Sequence, residues 1–291
     1  MAYLHPPRHH TDTLDLVFRP MGFEHLDALH GLSVSLGWPH RRADWETNLQ
    51  IGHGIVAVDA LDRVHGSAMY FPYQGDLTSI GMVIAHPKLA RTSLFGTLAH
   101  EMIDRSTRSR STGGVFLNAC KNDVASYRDL GMRADLPVYK YEGILPCDFS
   151  IAREVRKAEA QDLQAIYALD GESYEADRRA LLAVLADRSD CYVIEARGQI
   201  TGFGMRRRFG RGTLIGPVTA TGSQDAIRLT TSLMAGLAGR FVRLDTRLEE
   251  GPYTEFLTAL GLKATPDVTT MSDGQPKFHP QSFAISSHST G

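Results

Sequence analysis

Lys88, Arg91, Thr92 and Ser93 lie within one short loop that joins an apolar run at Ile80–Ala85 to a helical pattern beginning at Leu94. Two cations and two hydroxyls at such a junction are groups that hold an anion, and a helix N-terminus adds backbone N–H groups that have no partner of their own. The chemistry this spacing points to is phosphate binding. The run itself reads as a strand. Ile80, Val83 and Ile84 are apolar and partly β-branched, His86-Pro87 ends them, and Leu94, Leu98 and Met102 return at helical spacing with Phe95, Ala99 and Ile103 beside them.

Other residue types capable of chemistry carry less. His5, His9 and His10 sit in a Pro-containing leader, where an unstructured segment is a better reading than a metal site. Cys120, Cys147 and Cys191 are widely spaced and outside any C-x-x-C pattern, so neither a disulfide framework nor zinc is indicated and the three are expected as small core residues. No metal is expected. With 43% hydrophobic and 22% charged residues the composition is that of a soluble globular chain, and no apolar run reaches the ~20 residues needed to span a bilayer. The N-terminus has no apolar signal core, which makes the cytoplasm the expected location. A formal net charge of -2 gives no electrostatic reason to expect nucleic acid.

The elements that must position the loop can be taken in order. Residues 14–19 read as a strand, 22–38 and 42–51 as helices, and 55–60 and 64–72 as consecutive strands. After the strand-loop-helix come a strand at 115–119, a helix at 122–130 stopped by Gly131, and a closing strand at 138–142. The second half repeats this order. Val64-x-Gly66-x-Ala68-Met69 answers to Ile200-x-Gly202-x-Gly204-Met205, and Ile80-Gly81-x-Val83-x-Ala85 to Ile215-Gly216-x-Val218-x-Ala220. Val115-x-Leu117-Asn118 answers to Val242-x-Leu244-Asp245, and Leu130-Gly131-Met132 to Leu260-Gly261-Leu262. Four matches in one order make a tandem duplication. The expected organisation is a flexible leader at 1–13, an N-terminal domain at 14–145, a C-terminal domain at 148–280 and a tail at 281–291. The fold class is α/β with mixed sheets.

The copies differ where the phosphate would bind. The second half is shorter between its Ile-Gly strand and the next strand, and Ala220 runs almost directly into a helix capped by Ser223 with Asp225 in its first turn. A carboxylate there suits the helix dipole in place of an anion. The first domain is therefore expected to be the one that holds a cofactor.

This order of elements resembles the GNAT acetyltransferase superfamily in both halves. The first half ends in Tyr127-Arg-Asp-Leu-Gly131-Met132, similar to the family's closing Y-x-x-L-G-F. The second, with Gly202–Gly204, Ile215–Ala220 and Val242–Thr246, is similar to the C-terminal domain of YitH-like tandem GNAT proteins. The resemblance implies acetyl-CoA as cosubstrate, held by a loop that here runs Arg91-Thr92-Ser93-Leu94-Phe95-Gly96, with Leu94 where the family's first loop glycine stands. It implies a backbone amide from Val83, Ile84 or Ala85 at the thioester carbonyl, and Tyr127 as the acid. Leu257 stands at the matching place in the second copy. Asn122 is read as a helix cap, or as a contact to the cofactor's arm. Asp76 and His86 flank the strand as candidate bases, and Arg206 and Arg208 share one strand face that is read as solvated. The implied activity is direct acetyl or acyl transfer to an amine of a small molecule or peptide, without nucleic acid or membrane, and with a homodimer as the assembly to look for. Two alternatives stay open: a non-catalytic ligand-binding or regulatory protein on the same fold, and a different chemistry on it.

Overall fold

In the computed structural model the described residues are 8–10, 14–74, 77–90, 92–108, 114–274, 276 and 278–291. Arg91, Asp76 and His5 lie outside them, as do the side chains of His9 and His10. The first half runs β1 (Arg8–His10), β2 (Asp15–Pro20), α1 (Leu26–Ser35), α2 (Arg42–Ile51), β3 (His53–Val58), β4 (Val64–Tyr73), β5 (Leu77–Ala85), α3 (Leu94–Arg108), β6 (Val115–Cys120), α4 (Val124–Asp129) and β7 (Arg133–Ile144). The second runs β8 (Val155–Lys157), α5 (Leu163–Tyr174), α6 (Arg179–Asp187), β9 (Asp190–Ala196), β10 (Gln199–Phe209), β11 (Gly212–Ala220), α7 (Ser223–Leu233), β12 (Phe241–Thr246), α8 (Pro252–Ala259), β13 (Lys263–Asp273) and β14 (Ser282–Ala284). The leader is not wholly without structure, since β1 pairs antiparallel with β2.

All these strands join in one mixed sheet. Its order is β1-β2-β3-β4-β5-β6-β13-β7-β12-β11-β10-β9-β8, with β14 paired to β11. The halves are not separate in space, because each lends the other its long late strand: β13 of the second half lies between β6 and β7, and β7 of the first pairs with β12. The duplication read from sequence is visible, but its units are exchanged. Helices α3 and α4 cover the sheet of the first half through Leu94, Leu98, Met102 and Tyr127, and α7 and α8 cover that of the second through Leu229, Leu233, Tyr253 and Leu257. Between the halves one core is shared, with Leu29, Trp45, Met69 and Phe71 from the first and Ile166, Leu181, Phe203 and Met205 from the second. No helix among the described residues is long and apolar enough to cross a membrane.

Parallel pairing is short in both halves. β5 pairs β6 only over Thr78–Ile80, and β11 pairs β12 only over Thr213 and Leu214, after which the strands diverge. In the second half the chain fills its own gap. β14 pairs with β11 at Val218 and Thr219, Ala220 N–H donates to Gln281 O at 3.1 Å, and Ile285 N–H donates to Asp245 O on β12 at 2.8 Å. Gly216 leaves room for this insertion, since a Cβ there would collide with the Ile285 carbonyl. Gly216→Ala is accordingly expected to cost about 1–3 kcal/mol by overpacking, read as a fall in urea midpoint; an unchanged midpoint would mean that the segment is not seated in the gap.

Candidate active site

The corresponding gap in the first half is where the sequence-predicted residues gather. Opposite Ala68 of β4 stand two residues of β5, Met82 and Val83, because Ser67 pairs Ile84 while Met69 pairs Gly81. This bulge turns Met82 to a φ of 54° and reverses the direction in which alternate amides point. Thr78 N–H donates to Gly114 O on the β6 side, whereas His86 N–H donates to His65 O on β4. Counting by two from each end places the Val83 and Ala85 amides toward the gap and the Ile84 amide toward the ladder with β4. Of the three amides read as candidates, two therefore face the opening. In the second copy Pro217 stands at the bulge position of Met82 and has no N–H, and β14 occupies the face where Val218 and Ala220 answer to Val83 and Ala85.

The loop from Thr92 to Gly96 resolves the question posed by its two large residues. Leu94 is fully buried against the sheet, where it lies with Leu98 over Gly66, so its side chain leaves the outer face of the loop clear. Gly96 faces open space. Phe95 packs edge-on against Tyr127, ring centroids 5.6 Å apart. The hydroxyls serve the loop itself: Thr92 Oγ1 donates to Leu89 O at 2.7 Å and accepts from Leu94 N–H at 3.3 Å. Ser93 is exposed at the first turn. Thr92 and Ser93 are thus placed at the junction, and one of the loop's amides, that of Leu94, is already engaged.

Tyr127 lies on α4 under the same surface, buried, and burial pushes its phenol well above the ordinary tyrosine value. Asn122 is not the cap. α4 begins at Val124 with Asp123 in the cap position, and Asn122 is exposed in the preceding turn. His86 caps the short turn after β5, its Nδ1 accepting from Lys88 N–H at 3.2 Å, and burial lowers its pKa. A base there would have to give up that bond.

On the opposite face of β5 the structure adds a cavity that no local motif announces. It measures about 330 Å³ and is lined by Gly81 and Met82 at the bulge, by His40, by Asn118 and Cys120 on β6, and by His288. The last of these belongs to a segment that crosses from the filled gap of the second half toward the first: Asn118 Nδ2 donates to His288 O at 2.8 Å, and Ser79 Oγ donates to Ser289 O at 2.7 Å. Asn118 and Asp245 are equivalent positions of the duplication, and His288 lies between them. Its Nε2 is 3.5 Å from Asp245 Oδ2, and Arg243 Nη2 is 2.9 Å from the same oxygen. Burial alone would raise the Asp245 carboxyl; His288 and Arg243 outweigh it and hold it below the usual carboxylate range. The wall also carries Lys140, 3.3 Å from Asp267. Cys120 is no nucleophile here, because burial pushes its thiol up to about 11. Of the other cysteines Cys191 is buried and Cys147 is exposed, so the expectation of three core thiols fails at Cys147. No cluster of metal-binding side chains occurs among the described residues.

His40 is the polar group of this wall that lacks company. Trp38, Trp45 and Phe209 surround the ring, and its Nδ1 has no hydrogen-bond partner. Burial lowers its pKa to about 4, against an ordinary value near 6.5. Between those values the unfolded chain binds a proton that the folded chain does not, so folding stability falls as pH drops through that window. His40→Gln should flatten the dependence of the urea midpoint on pH between about 6.5 and 4. An unchanged slope would show that the ring is not desolvated.

Comparison with known proteins places these features. A family model described as acetyltransferase (GNAT) domain matches residues 166–285, in the half whose gap the chain fills itself. An uncharacterized N-acetyltransferase, YitH of Bacillus subtilis (strain 168), is 27% identical over 249 residues, covering 82% of this chain and 84% of that one. Among solved structures, a protein from Pyrococcus horikoshii described as an acetyltransferase has a TM-score of 0.79 at 16% identity over 97% of this chain and 99% of that one. A tandem GNAT protein from the clavulanic acid biosynthesis pathway has a TM-score of 0.63 at 13% identity over 89% and 98%. At those identities the structural likeness is one of fold. A GNAT acetyltransferase domain is thus matched at residues 166–285, and over most of its length the chain is similar to YitH and shares the fold of tandem GNAT proteins, with the bulged, diverging strands present in both copies.

Proposed function

We propose that the protein is an acyltransferase whose first domain alone takes the acyl donor, acetyl-CoA, and passes the acyl group to the amine of a small polar molecule by direct attack. The observation that carries this reading is the contrast between the two gaps: the second is filled by β14 and has Pro217 at its bulge, whereas the first keeps the Val83 and Ala85 amides facing the opening. Bound acetyl-CoA would supply an acyl thioester. The residues suited to hold it are Val83 and Ala85 through their amides and Thr92, Ser93 and Gly96 at the start of α3, where the outer face of the loop is clear. Leu94 and Phe95 support that loop from beneath. Arg91 and Lys88 add positive charge in the sequence.

An amide fixed at the bulge donates a hydrogen bond to a carbonyl oxygen without reorganising, which is the source of its advantage over water. Tyr127 keeps its proton at neutral pH because its phenol is buried, and so has one to donate. The cavity on the other face of β5 suits the amine. Its wall mixes Lys140 and Arg243 with Glu142, Asp245 and Asp267, a lining for a polar guest, and the enclosed volume favours a small molecule over a folded peptide. The high pKa of the Cys120 thiol argues against a covalent acyl-enzyme there.

Calorimetry with acetyl-CoA tests the reading. Saturable binding in the micromolar range is expected, and the absence of heat at millimolar cofactor from a folded sample would overturn it. One observation favours a second reading, a ligand-binding protein without turnover: Ser289 packs against Gly81, where an added Cβ would come within 2.7 Å of it, and so narrows the acceptor side of the gap. In that case acetyl-CoA would leave the melting temperature unchanged.

A further inference from the structure

A second cavity, about 340 Å³ in volume, lies between α2, α6 and β10, and it shares only Phe209 and Ser287 with the first. Its walls divide by chemistry. Ile51, Leu181 and Leu185 make an apolar side, and Arg188 and Arg207 a basic one. The single carboxylate in the lining, Asp44, is fully engaged: it accepts from Arg41 Nη2 at 2.7 Å, from Arg41 N–H at 2.8 Å and from Gly210 N–H at 3.2 Å.

The guanidinium groups of Arg188 and Arg207 have no carboxylate partner among the described residues. Arg188 donates to Thr47 Oγ1 at 3.1 Å, and Arg207 donates to two carbonyls, Gly216 O at 2.7 Å and Ser286 O at 2.5 Å. Neutral acceptors satisfy some N–H groups but do not balance the charge. The cost registers on Arg207, whose pKa burial lowers to about 10 despite the nearby carboxylates of Asp44 and Asp245. Positive charge gathered in a half-enclosed space beside an apolar wall is unfavourable until an anion enters. Arg206, its neighbour on the other face of β10, makes the contrast plain: it pairs with Asp190 at 3.0 Å and caps α7 through Leu233 O and Ala235 O.

We propose that this cavity binds a small organic anion, with a carboxylate or phosphate head held by Arg188 and Arg207 and a short apolar body laid on Ile51, Leu181 and Leu185. The site does not depend on the acyl-transfer reading, and its test measures binding rather than turnover. The full chain is titrated calorimetrically at fixed ionic strength with hexanoate and hexyl phosphate, and with acetate and inorganic phosphate as partners lacking the apolar body. The variant is Arg188→Gln, an exposed side chain; Arg207 is left in place because it also holds the Ser286 carbonyl. At least one six-carbon probe should bind saturably and about tenfold tighter than its short partner, and the Arg188→Gln variant should weaken it by about tenfold or more. The tighter of the two long probes identifies the head group. No saturable binding of either long probe, equal binding of long and short probes, or unchanged affinity in an Arg188→Gln variant that keeps its melting temperature would each overturn the proposal.

Discussion

Tyr127→Phe is expected to lower kcat about 100-fold while leaving the KM for acetyl-CoA within about twofold. Phenylalanine keeps the ring that packs on Phe95 and the other side chains over the first domain's sheet, so the folded structure should survive. What it removes is one O–H, and burial holds that phenol protonated far above neutral pH. Loss confined to kcat would place the hydroxyl in the rate-limiting chemistry rather than in binding. Steady-state kinetics and a melting curve on the same sample decide it, and a kcat within twofold of the parent would remove Tyr127 from the mechanism. Leu257, at the equivalent place on α8, provides the contrast. It is fully buried in the core of the second half, so Leu257→Ala should cost about 2–5 kcal/mol of stability and leave kcat per folded molecule unchanged.

Asp170→Ala should destabilise the protein by about 3–5 kcal/mol. Asp170 and Arg178 are fully buried and meet in a fork, Nε to Oδ2 at 2.8 Å and Nη2 to Oδ1 at 2.7 Å. The guanidinium also lies 3.3 Å from the centroid of the Tyr174 ring and donates to the carbonyls of Thr290 and Gly291. Without the Asp170 carboxylate it keeps its charge in the shared core with no side-chain counter-ion among the described residues. The pair need not be better than an apolar one, so Asp170→Leu with Arg178→Met should recover most of the loss in urea unfolding. A single-variant loss below about 1 kcal/mol would mean that water reaches the pair.

Much of the fold was legible because it was written twice. The Ile-Gly motif of β5 and β11 marked equivalent strands, and the shortened second loop with Asp225 singled out the half whose gap the chain fills itself; Asp225 accepts from Thr201 Oγ1 at 2.9 Å and pairs with Arg228. The exchange of β7 and β13 was not legible, since alternation along a strand fixes its faces but not its neighbours. Alternation along β10 puts Arg206 and Arg208 on one face, where Arg208 is exposed as expected, but it does not show that Arg206 pairs with Asp190 or that a cavity lies against Arg207 on the other face. Leu94 looked like an obstruction because the motif gives a position in sequence and not a direction; one helical turn carries its side chain into the core. The cavity beside the β5 bulge draws His40, Cys120, Arg243 and His288 from four distant stretches, and only the fold brings them together.

The lending of strands has a consequence for what a cut chain would do. A protease that nicks Pro146-Cys147-Asp148 severs the linker but not the assembly, because each fragment still holds a strand hydrogen-bonded inside the other's sheet. Expressed alone, the first fragment would present β6 with no partner on that side, and the second would present β12 in the same condition, both open to pairing with strangers. Mixed while unfolded, the two should complement one another. The two copies of the duplication thus complete one another's sheet edges, and neither presents a closed edge without the other.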